Sequence, residues 1–99
     1  MQFLVIARRA LERFTDAQFA ELLEPEAERV RELYREGTIR TIWTRTDVPG
    51  ACFVLECADL AHAQRIVASL PLAAREMLDL QIIGLRGYRG FEPRGAAGS

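Results

Sequence analysis

The chain has 99 residues, 49% of them apolar and 27% charged, which suits one folded domain and excludes a disordered or collagen-like polymer. Its 13 basic and 14 acidic residues leave a net charge of −1, so the electrostatic footprint of a nucleic-acid binder is missing. No apolar run reaches the ~18 to 20 residues of a membrane span. The opening residues Met1 to Ala7 are apolar at once and lead into Arg8-Arg9, the reverse of the charge order of a secretory signal, so a cytoplasmic protein is expected.

Every basic residue is arginine, and asparagine is absent as well as lysine. Both missing types use AT-rich codons, which points to a GC-rich, bacterial genome. Without lysine there is no Schiff base and no P-loop lysine. The single histidine, His62, with Cys52 and Cys57, is too small a set for a three- or four-ligand zinc site in one chain. Ser69 and Ser99 are the only serines, and neither lies in a G-x-S-x-G setting. No metal and no organic cofactor is expected. Any chemistry falls to carboxylates, arginine, tyrosine and a bound apolar substrate.

Gln2 to Ala7 is a short apolar run without alternation and predicts a strand covered on both faces. Thr15-Asp16-Ala17-Gln18 has the form of a capping box, with Thr15 as N-cap. Phe19, Leu22, Leu23, Val30 and Leu33 then repeat at helical spacing, and Pro25 predicts a kink or a second helical segment starting there. Gly37 is expected to end the helix in a left-handed cap. Ile39 to Thr46 and Ala51 to Cys57 read as a hairpin closed by Asp47-Val48-Pro49-Gly50. Asp59 caps a second helix from Leu60 to about Leu70, with Pro71 helping to stop it. Leu78 to Leu85 is the last strand.

The order β-α-β-β-α-β is the ferredoxin-like arrangement, an α+β fold with a four-stranded antiparallel sheet and two helices on one face. Residues 1–85 form this domain. Residues 86–99 are a tail rich in Gly and Arg, expected to dock on a neighbouring subunit. The second sheet face should be polar in a monomer, yet the first and last strands place apolar groups on both sides. A homodimer or a higher homo-oligomer with facing sheets hides that surface.

The stretch Leu33-Tyr34-Arg35-Glu36-Gly37-Thr38-Ile39-Arg40-Thr41-Ile42-Trp43, followed by Leu70-Pro71-Leu72, Asp79 and Gly84-Leu85, resembles the muconolactone delta-isomerase family of the dimeric α+β barrel superfamily. The resemblance runs from about Met1 to Leu85. It implies a cofactor-independent enzyme that moves a proton across a small unsaturated lactone or ketone. Such a reaction needs a base beside a carbonyl and a donor that stabilises dienolate-like charge. The family's isomerases carry a histidine and a lysine on the first strand, where this chain has Leu4 and Ile6, and a further histidine where it has Thr41. The alternatives are a polyketide-type cyclase, a cofactor-free monooxygenase, or a non-catalytic ligand-binding oligomer.

Glu26 is the leading candidate base. It lies seven residues from both Phe19 and Leu33 and four from Val30, on the apolar stripe, where desolvation would raise its basicity. The competing reading is a carboxylate that follows Pro25 and answers a helix dipole. Glu28 also matches the family, but its spacing points it to the polar face. Arg40 is the second catalytic candidate, as a clamp for an anion or enolate, or else it pairs with Glu56 across the hairpin. Tyr34, Thr41 and Trp43 are candidate substrate contacts, and a flat strand sets Ile39, Thr41 and Trp43 on the face opposite Arg40. His62 reads as a residue of a solvated helix face. Cys52 and Cys57 point to opposite faces of one strand and should remain reduced and unpaired.

Overall fold

A computed structural model describes residues 1–91 and 93. Its elements are β1 (Gln2–Arg9), α1 (Asp16–Arg35), β2 (Ile39–Thr44), β3 (Gly50–Glu56), α2 (Leu60–Ala68), a single-turn α3 (Pro71–Ala74) and β4 (Leu78–Leu85). The strands form one sheet in the order β2-β3-β1-β4, with every neighbouring pair antiparallel. β1 lies at the centre, as its unbroken apolar run requires: Phe3, Val5 and Ala7 are buried under the helices, and Leu4 and Ile6 are half-buried on the other face. No helix among the described residues is long and apolar enough to cross a membrane.

Local chemistry fixes both ends of α1. The Thr15 side chain accepts the Gln18 N–H at 3.2 Å, and Gln18 accepts the Thr15 N–H at 2.7 Å, which completes the expected capping box. At the other end Gly37 has φ +82°. There the Thr38 N–H donates to the Leu33 carbonyl at 2.9 Å and the Gly37 N–H to that of Tyr34 at 3.0 Å. This pair of bonds is a Schellman motif.

Between these ends the helix differs from expectation, because it runs unbroken through Pro25 for 20 residues. Proline removes one N–H from the ladder. The turns on either side are held by buried Leu22 and Leu33 and by Arg31, which bonds Glu28 on its own side and Glu24 across the proline, at 2.9 Å each.

Four further departures have physical causes. β1 extends to Arg9 because Arg8 bonds Glu12 and Asp79 and so continues the ladder onto β4. The hairpin strands are offset from the expected spans, with β2 ending at Thr44 and β3 starting at Gly50; the Arg45 N–H closes on the Gly50 carbonyl at 3.0 Å. α2 stops at Ala68, and Pro71 opens α3 instead of only ending its predecessor. Leu70 before it is extended, as a residue preceding proline prefers.

The fourth departure is a bulge in β2. Ile39 pairs with Leu55 but Thr41 pairs with Val54, so Arg40 is the extra residue. Ile39 is therefore buried on the helix face, whereas Thr41 and Trp43 lie on the open face.

Two apolar clusters hold the layers together. The larger unites Phe3, Val5, Phe53 and Leu55 of the sheet with Leu33, Ile66, Val67 and Leu70. The smaller joins Phe19 and Leu22 of α1 to Leu72 and Met77. The opposite sheet face carries Leu4, Ile6, Val54, Ile83 and Leu85, with no covering layer from the described residues. Cys52 and Cys57 are both free, Cys57 within the larger cluster and Cys52 on the open face.

At the end of the chain a 3-10 turn spans Arg89–Phe91, where the Tyr88 and Phe91 rings meet edge to face at 5.4 Å. Apart from Pro93, the rest of the tail lies outside the described residues.

Candidate active site

Glu26 stands midway along α1 on the stripe that carries Leu22 and Leu33, and α1 lays that stripe over the sheet. Its Oε1 accepts the Leu72 N–H at 2.9 Å. That donor belongs to the first turn of α3, where amides have no helical partner and Leu70 supplies no side-chain cap. A carboxylate far away in sequence therefore supplies the cap. Burial pushes the Glu26 carboxyl above the ordinary range; the Leu72 N–H and the charge of Arg9 pull it back only in part.

The carboxylate lines a cavity of about 490 Å³ between α1 and the helix face of the sheet. Val30, Phe53 and Leu70 on one side adjoin the larger apolar cluster, and Leu72 and Leu78 on the other adjoin the smaller one. Space exists because the sheet beneath is built of small residues. Ala7, Ala51 and Thr44 lie side by side across β1, β3 and β2. Gly50 extends this surface, and a Cβ there would meet the Ala7 carbonyl oxygen at 2.1 Å, so glycine is obligatory.

Arg9 and Glu26 are the only charged groups among the described lining residues. The Arg9 guanidinium lies over the Phe19 ring, 5.6 Å from its centroid, and the Arg9 N–H donates to the Pro49 carbonyl. The cavity is thus largely apolar with one acid and one cation, the pattern of a small-molecule site.

The sequence matches the family described as Muconolactone delta-isomerase over residues 1–89. The chain belongs to the muconolactone delta-isomerase family. Among solved structures it is similar to a muconolactone isomerase at 23% identity and a TM-score of 0.75, covering 90% of this chain and 92% of that one. It is also similar to 5-chloro-2-hydroxyhydroquinone dehydrochlorinase from Burkholderia phenoliruptrix AC1100, in complex with 2,5-dihydroxybenzoquinone. That likeness has 11% identity and a TM-score of 0.66 over 91% of this chain and 98% of the other. These likenesses establish the fold, the α+β subunit of the dimeric barrel. No curated protein sequence matches.

Of the residues singled out in the sequence of this family member, the structure brings Glu26 alone to the cavity. Tyr34 is exposed in the last turn of α1, beyond Val30. Arg40 occupies the bulge of edge strand β2, exposed and without the expected partner Glu56, which pairs with the amino terminus at 3.5 Å. Thr41 and Trp43 lie on the open face, turned away from the cavity by that same bulge. Glu28 faces outward to Arg31 at 2.9 Å and Arg35 at 3.3 Å. His62 serves the start of α2, its Nδ1 accepting the Ala58 N–H at 3.1 Å.

Sequence reasoning missed Arg9 because β1 was expected to end at Ala7. Extended by two residues, the period of two that aligns Phe3, Val5 and Ala7 places Arg9 on the same face.

Proposed function

We propose that the protein is a cofactor-independent isomerase that shifts a proton within a small unsaturated lactone or ketone, with Glu26 as the base. One observation carries the reading: a half-buried carboxylate with raised proton affinity faces a ligand-sized apolar cavity. The ionised Glu26 takes a proton from a carbon conjugated to a carbonyl, leaving a dienolate. It then returns the proton at another conjugated carbon, so composition is unchanged and no electrons are exchanged with a second reactant. Raised proton affinity suits both halves of the cycle, because the acid must form and then give its proton back. The substrate class rests on the family's description and on the cyclic unsaturated compounds named for the two solved neighbours.

The test is exchange of substrate hydrogen for deuterium in deuterated water, followed by NMR over a panel of unsaturated lactones and cyclic enones. Glu26→Gln preserves shape and can still accept the Leu72 N–H, but it removes the base. Exchange should fall by about 10² to 10⁴ in rate while the circular dichroism spectrum is retained. Full exchange by the variant would exclude Glu26 as the base.

A further inference from the structure

A proton shift through a dienolate needs a group that receives the negative charge as it gathers on the carbonyl oxygen. Arg40, the sequence candidate for that role, does not line the cavity. Arg9 does. It is the only cation among the described lining residues, and no carboxylate among the described residues lies within ion-pair distance of it.

Its position is fixed at two points, by its backbone bond to Pro49 at 2.9 Å and by the guanidinium resting on Phe19. A second hollow of about 250 Å³ shares Arg9, Leu23 and Pro49 with the main cavity, so Arg9 stands where the two meet. Asp16 lines that outer hollow and Glu26 the inner one, and neither forms an ion pair with Arg9.

We infer that Arg9 is the electrophilic partner of Glu26, a catalytic residue whose guanidinium holds the substrate's carbonyl oxygen and stabilises the dienolate. This deepens the isomerase reading and rests on it. In the intermediate Glu26 is protonated and the ligand is anionic, so charge leaves the acid and appears opposite Arg9. A guanidinium held on Phe19, with no carboxylate partner among the described residues, is available to meet it.

That intermediate can be imitated without a substrate. Glu26→Gln stands in for protonated Glu26, and 4-nitrophenolate stands in for the dienolate, with ionisation visible in its absorbance. In Glu26→Gln the bound phenol should ionise at least about one pH unit below the free phenol, a tenfold preference for the anion. Adding Arg9→Met should abolish that preference while the protein stays folded, and Arg9→Gln serves if the methionine variant does not fold. Absence of binding, absence of the shift, or a shift that survives loss of Arg9 would overturn the assignment.

In the otherwise native protein, loss of the Arg9 charge should also move the acid limb of the exchange–pH profile upward, because Arg9 holds Glu26 down. That movement follows from the Arg9 charge alone, so the phenol shift is the readout that separates an arginine holding the ligand from one acting only on Glu26. Deuterium exchange retained in full by Glu26→Gln would remove the base without touching the phenol measurement, so the two readings fail separately.

Discussion

Glu26 meets two opposed demands, since burial penalises the ionised form that the proposed proton shift needs. Its folded proton affinity lies above the ordinary value of 4.5, so the favourable linkage is complete below that value and is lost as pH rises through the higher folded value. Stability of Glu26→Gln relative to the native chain should therefore improve between acid and neutral pH, which urea melts at both ends will show. Exchange activity runs the other way and should rise over the same interval as the base ionises. Glu12 behaves oppositely. Its bonds to Arg8 depress its carboxyl to about 2, so the stability it contributes is present above the unfolded value of 4.5 and is lost progressively as pH falls from there through about 2. An NMR titration should find Glu12 still ionised at pH values where most carboxyls carry protons.

Elements that end through local chemistry were readable in the chain, and those set by distant partners were not. The capping box at Thr15, the Gly37 cap and the Asp59 cap each depend on residues within a few positions. Thr15→Ala should lower stability by about 1 kcal/mol in denaturant melts, a measure of how much one such signal is worth. The bulge at Arg40 depends on register with β3, and the Glu26–Leu72 bond joins residues 46 apart in sequence. No local pattern encodes either, so the face of Thr41 and Trp43 and the partner of Glu26 are set only by the folded chain. Glu26 was legible because its helical period alone put it on the apolar stripe, although Pro25 was expected to interrupt that helix. Gly50 is the sharpest constraint in the hairpin. Gly50→Ala sets a methyl against the Ala7 carbonyl and should cost about 1 to 3 kcal/mol, visible as a lower urea midpoint with unchanged slope.

At the scale of the whole molecule the open sheet face matters most. Leu4, Ile6, Val54, Ile83 and Leu85 form an apolar surface across three strands, and Trp43 beside them is 56% exposed. Monomers seldom leave such a contiguous patch bare. Light scattering should report a dimer or a larger assembly, and Leu4→Arg should shift it toward the monomer by placing a charge in the middle of that surface, between Val54 and Ile83. A stable monomer of the unaltered chain at micromolar concentration would contradict the pairing. The tail belongs to the same question, because Tyr88 and Phe91 are exposed just after β4. Truncation after Leu85 should weaken the assembly if the tail docks on a neighbouring subunit.

The row Ala7, Ala51 and Thr44 separates the shape of the cavity from its charge. These side chains set the room above the sheet, while the acid and the arginine sit on other positions of the lining. An alanine becoming valine or a threonine becoming serine along this row changes the shape of the cavity and leaves its two charged lining residues in place. Single methyl groups can therefore reshape the cavity without touching Glu26 or Arg9.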